Sequence, residues 1–167
     1  TNPNKLANTF NSIKKSPISY DTIKDYIEYL CDSFLIEKAT RYDIKGKKYI
    51  STPFKYYFTD LGLRNARLNF RQSEKSHLME NLLYNELRIR GFNVDVGVVP
   101  VIMRDEEGRQ QRSQLEVDFV VNKVDKRYYI QSALTVADEE KRKQEVNSLN
   151  RIGDSYTKIV VVHDNIL

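Results

Sequence analysis

Residues 115–121 read Leu-Glu-Val-Asp-Phe-Val-Val, and residues 128–133 read Tyr-Tyr-Ile-Gln-Ser-Ala. Glu116 and Asp118 stand two apart in a strand-like run, so both side chains fall on one face. Phe119, Val120 and Val121 continue it with residues typical of a buried sheet. A turn around residues 122–126 returns the chain into Tyr128–Ile130, which predicts a β-hairpin. Two acids on adjoining strands, with a lysine two residues past the second, make a Mg²⁺ nuclease site. Carboxylate oxygens hold the hard cation, and the lysine places or activates the attacking water. Here the second strand carries Gln131 where the second acid would stand and Ala133 where the lysine would stand. The frame of such a site is legible, and its chemistry is erased.

Working outward, residues 75–90 predict a helix stopped by Gly91, with Leu78, Leu82, Leu83, Leu87 and Ile89 on its buried side and Glu80 at the border. Phe92–Met103 is strand-like, interrupted by Gly97 and Pro100. Residues 104–114 read as a charged turn centred on Gly108. After the hairpin, a helix is predicted from Ala137 to about Ile152, with Asp138, Glu139 and Glu140 at its positive dipole end, then a buried strand over Lys158–Val162. The predicted order is α-β-β-β-α-β around a mixed sheet, an α/β (α+β) class.

The first segment predicts a short helix at Leu6–Lys14, a break at Ser16–Pro17, and a helix from Tyr20 to Phe34 with Ser19 as N-cap. A strand at Ile36–Tyr42, a turn at Lys45–Lys47 and a strand at Lys48–Ser51 follow. Helix, turn, helix and basic hairpin is the order of a winged helix. Arg41, Lys45, Lys47 and Lys48 on the wing are the candidate nucleic-acid contacts. The solvent side of the second helix carries Asp21, Lys24, Asp25, Glu28 and Asp32, a poor surface for a phosphate-lined groove. DNA contact and protein packing both stand as readings of this segment. Phe54, Tyr56, Tyr57 and Phe58, interleaved with Lys55, either stack bases or lock the two segments together.

These stretches carry a resemblance. Arg-Tyr-Asp-Ile-Lys-Gly-Lys-Lys (41–48), Lys-Tyr-Tyr-Phe-Thr-Asp-Leu-Gly-Leu-Arg-Asn (55–65), Met-Glu-Asn-Leu-Leu-Tyr-Asn-Glu-Leu (79–87) and Glu-Val-Asp-Phe-Val-Val (116–121) resemble the C-terminal portion of a bacterial and archaeal family of AAA+ ATPases. The resemblance implies a winged helix followed by a domain similar to PD-(D/E)xK restriction-endonuclease-like folds. It divides the chain into a winged segment with an aromatic connector (1–64), a linker (65–76) and a nuclease-like domain (77–167). Carried over residue by residue, it places the vestigial catalytic set on Glu80, Asp118, Gln131 and Ala133, with Glu80 and Asp118 as weak Mg²⁺ ligands. ATP with its Mg²⁺ would belong to an ATPase half that this sequence lacks. The chain opens at Thr1 without a methionine and so reads as an excised piece of a longer protein.

The expectation is therefore a non-catalytic accessory module of an ATPase, with DNA, a partner protein or its own parent's ATPase domain as partner. The alternative is a metal-dependent nuclease with a rearranged site, its lysine moved to Lys141 or Lys143. Of 167 residues, 40% are hydrophobic and 30% charged, an ordinary balance for a globular chain. Residues 1–70 carry 12 Lys and Arg against 7 Asp and Glu, so the net charge of +4 arises in the first segment. The one cysteine, Cys31, excludes an internal disulfide and fits a reducing, cytoplasmic setting. His77 and His163 lack partners at zinc-ligand spacing. No apolar run is long enough to cross a membrane.

Overall fold

The computed structural model describes residues 3–14, 17–71, 74–104, 109–136 and 138–163. Along these residues run α1 (Pro3–Lys14), α2 (Tyr20–Asp32), β1 (Ile36–Asp43), β2 (Lys48–Phe58), α3 (Leu61–Arg67) and α4 (Lys75–Ile89). Then follow β3 (Asn93–Arg104), β4 (Gln110–Lys123), β5 (Lys126–Ala133), α5 (Glu139–Asn150) and β6 (Thr157–Val162). The class is mixed α+β, and the second segment has the predicted α-β-β-β-α-β order. The sheet orders its strands β2-β1-β3-β4-β5-β6. Pairing is antiparallel except between β1 and β3 and between β5 and β6. The hairpin read from residues 115–133 is present, with Phe119 opposite Ile130 and Val121 opposite Tyr128.

Side-chain alternation sorts the core into two clusters, one on each face. Tyr57, Val94, Val96, Phe119, Val121 and Ile130 pack with Tyr84 of α4. Val99, Val117, Val120 and Tyr129 pack with Leu149 and Ile152 at the end of α5. A sheet covered on both faces needs apolar residues at successive positions, which explains the buried Val117 and Phe119–Val121, with Asp118 the one polar residue of that run.

Several boundaries differ from expectation. β3 runs through Gly97 and Pro100 without interruption. Residues 110–114 belong to β4 rather than to a turn; Gly108 and Ala137 lie outside the described residues. The strand expected to end at Ser51 continues to Phe58, so the aromatic connector is largely strand. The second helix ends at Asp32, and Phe34 turns to φ 58°, a left-handed conformation disfavoured for a residue with a Cβ. The sheet takes strands from both sides of residues 65–76, and α3 occupies the start of that stretch. Among the described residues, no helix is long and apolar enough to cross a membrane.

Candidate functional site

On the α4 side of the sheet, two strands, a helix and a third strand bring charged groups together. Lys55 and Tyr57 lie two apart on β2 and share a face, as do Ala39 and Arg41 on β1. Lys55 Nζ lies 2.6 Å from Glu80 Oε1 on α4 and 2.8 Å from Glu116 Oε1 on β4. Tyr57 donates its hydroxyl proton to the same Glu80 oxygen at 2.6 Å. Glu116 Oε2 accepts from the Arg41 guanidinium. The chain of contacts is Tyr57–Glu80–Lys55–Glu116–Arg41. It is buried at the Glu80 end and opens to solvent at Glu116, whose side chain is 36% exposed against 11% for Glu80.

Burial alone would pull the Lys55 ammonium down. The Glu80 charge and the hydrogen bonds to Glu116 and Glu80 outweigh it and hold Lys55 above the ordinary lysine value. Burial, reinforced by Glu80, pushes the Tyr57 hydroxyl well above the usual tyrosine range, so it stays a donor.

Asp118 sits beside this chain through a β-bulge. Asp95 pairs with Val120 and Gly97 with Val117, so β4 spends one extra residue opposite Val96. Gly97 allows the close approach there. A Cβ at that position would lie 2.9 Å from both Ile44 Cδ1 and Val117 Cβ. Beyond Phe119 the β4–β5 ladder stops, and the Asp118 carboxylate replaces it. Its Oδ2 accepts from the Ser132 amide and from the Ser132 hydroxyl, both at 2.7 Å. Burial pushes the Asp118 carboxyl up; the Ser132 bonds and the Lys55 charge oppose this without reversing it.

Glu80 and Asp118 therefore come together as the sequence reading had it, and Glu116 joins them. Gln131 and Ala133 do not. They alternate with Ile130 and Ser132 and so lie on the α5 side, where Gln131 Oε1 receives the Ser148 hydroxyl at 3.5 Å. The bulge is the reason: it turns the Asp118 carboxylate to Ser132, and Gln131 meets only the Asp118 amide, from which its Oε1 accepts at 3.4 Å. Lys141 and Lys143 belong to α5, which packs against the other face, and Lys143 lies 3.9 Å from Glu139. The lysine that does reach the carboxylates is Lys55, which sequence reasoning placed among the stacking aromatics. A longer β2 was the signal that would have found it. Among the described residues, no group of three or more His, Cys, Asp or Glu side chains is arranged to hold a metal ion. The donor set fits Mg²⁺ poorly, because an ammonium stands between two of the carboxylates and Ser132 takes an oxygen of the third.

The wing candidates separate. Arg41 is turned into the network, its side chain 23% exposed. Lys45, Lys47 and Lys48 are exposed around the β1–β2 turn, which the Asp43 carboxylate closes by accepting from the Gly46 amide at 2.8 Å. Cys31 lines a cavity of about 320 Å³ with Tyr20, Ile27, Phe54 and Tyr56, and burial pushes its thiol up.

The comparisons with known proteins follow the chain at two levels. Residues 1–74 match a family described as a domain of unknown function (DUF8612). Over 160 residues the chain is 34% identical to an uncharacterized protein of Haemophilus influenzae, covering 96% of this chain and 36% of that protein. Over 117 residues it is 32% identical to an uncharacterized protein of Methanocaldococcus jannaschii, covering 70% of this chain and 23% of that protein. The chain thus spans about a third or less of the curated relatives it matches. No solved structure matches it.

Proposed function

We propose that the chain is a non-catalytic binding module of a larger ATPase, built on a nuclease-like frame whose cation seat is taken by its own lysine. The observation that carries the catalytic half of this reading is Lys55, 2.6 Å from Glu80 and 2.8 Å from Glu116. A fixed ammonium supplies the positive charge a metal would otherwise bring, but offers no bound water as a nucleophile. The four stretches that resemble the ATPase family each send a residue to this network: Arg41, Lys55, Glu80 and Glu116. Support for a place in a longer chain comes from that resemblance and from the greater length of the two relatives.

One observation favours a second reading, a nuclease with a rearranged site. Lys55 is a lysine beside Glu80, Glu116 and Asp118, the residue types such chemistry uses. The two readings part on one assay. Incubated at low salt with Mg²⁺ or Mn²⁺, the protein is expected to leave duplex, nicked and branched DNA intact. Metal-dependent cutting that is abolished by Asp118→Asn would establish the nuclease reading instead.

A further inference from the structure

Strands β3 and β4 continue past the rest of the sheet. The β1–β3 pairing stops at Val98 and the β4–β5 pairing stops at Phe119, yet β3 and β4 stay paired from Val99 and Leu115 out to Arg104 and Gln110. At about 3.4 Å per residue, this arm extends roughly 20 Å. At its base an open groove of about 940 Å³ lies between the arm, the β1–β2 turn and the end of α5. Lys45, Arg112 and Arg151 line it from those three places, together with Ser113 and Gln114. Among the described residues, no carboxylate lines it. Lys45 is held over the groove by donating to the Pro100 carbonyl at 3.0 Å, and Arg112 and Arg151 are exposed. Asp105, Glu106 and Glu107 follow Arg104 in the sequence and lie outside the described residues.

We propose that this groove seats the phosphate backbone of duplex DNA and that the paired strands 99–104 and 110–115 lie along the major groove beside it. The proposal rests on the binding-module reading and supplies its partner. Three cations from separate elements converge on one groove, where each neutralised phosphate releases counterions. Guanidinium forks match phosphate oxygens in pairs. A two-stranded ribbon fits the major groove of B-DNA, about 12 Å wide, whereas that of A-form RNA is too narrow to admit it. Arg112 and Gln114 lie two apart on β4 and share a face, and both carry side chains that donate to base edges and phosphates.

The test is fluorescence anisotropy of a labelled mixed-sequence DNA duplex, titrated with the whole protein over a series of salt concentrations. Arg112→Ala with Arg151→Ala should weaken binding at least tenfold at low salt and flatten the salt slope by about two, one for each lost contact. Lys24→Ala, on the far helix α2, should change neither. Circular dichroism of the double variant should match the parent, since both arginines are exposed. Duplex binding that ignores the double substitution overturns the groove assignment and leaves the binding-module reading standing. Absence of duplex binding overturns the proposal. So does equal or tighter binding to phosphatidylserine vesicles or to polyglutamate, which would assign the groove to a membrane or to an acidic protein.

Discussion

At Lys55 the ammonium group stands between two carboxylates from elements far apart in sequence, Glu80 and Glu116. Without that charge the carboxylates would repel one another at close range and Glu80 would face an apolar core beside Tyr57 and Tyr84. The same residue scale explains why Gln131 and Ala133 do not join Glu80 and Asp118. The cross-strand count from Asp118 leads to Gln131, but one bulged residue in β4 redirects the Asp118 carboxylate to Ser132. A bulge has no reliable mark in a single sequence, so the slip was not legible there. Rebuilding a nuclease motif by Gln131→Glu with Ala133→Lys should therefore fail. Ala133 is 4% exposed, and a lysine there leaves a charge buried away from the carboxylates. The double variant should lose about 3 kcal/mol of stability in urea unfolding and gain no Mg²⁺ affinity by calorimetry. Stoichiometric Mg²⁺ binding by that variant would show that the two positions do face the acids.

At the scale of elements, α4 reads the end of β2 as a neighbouring strand would. The Asn81 side chain accepts from the Phe58 amide at 2.8 Å and donates to the Phe58 carbonyl at 2.7 Å, and Asn85 donates to the Phe58 and Thr59 carbonyls. Just beyond, Asp60 caps α3 by accepting from the Leu63 amide at 2.8 Å. The stretches 55–65 and 79–87 are thus halves of one contact. Asn81→Ala leaves the Phe58 amide without its partner and the Phe58 carbonyl with Asn85 alone, and should cost about 1–3 kcal/mol. Hydrogen exchange should locate the loss, with faster exchange at the Phe58 amide; unchanged protection there would separate Asn81 from the β2 anchor. The hairpin of β4 and β5 was legible because alternation and a short turn sufficed. β2 was not, because Pro53 and four crowded aromatics look like a connector. Pairing with β1 and the contact with Tyr84, stacked on Tyr57 at 4.1 Å, make a strand of them. The outer part of β4 was misread for a simpler reason. Gln110–Gln114 is polar because both its faces are largely exposed.

At the scale of the molecule, the sheet separates two kinds of chemistry. The α4 side closes a carboxylate network upon internal cations, and the open groove between the β3–β4 arm, the β1–β2 turn and the end of α5 is lined by cations. The order of elements in the second segment followed from sequence periodicity. The insertion of the β1–β2 hairpin into the same sheet did not, because parallel pairing of β1 with β3 is a contact between distant segments. That insertion is what carries Arg41 and Lys55 to Glu116. The most direct measurement of the account is a double-mutant cycle on Lys55→Met and Glu80→Gln, followed by urea unfolding at neutral pH with and without Mg²⁺. Lys55→Met alone should cost about 3 kcal/mol by leaving the buried Glu80 charge with the Tyr57 hydroxyl but no counter-ion. The double variant should cost less than the sum of the two single variants by about 1–3 kcal/mol, and Mg²⁺ should leave the parent's stability unchanged. Additive single effects, together with a parent protein that saturating Mg²⁺ stabilises, would contradict the claim that Lys55 fills the cation seat.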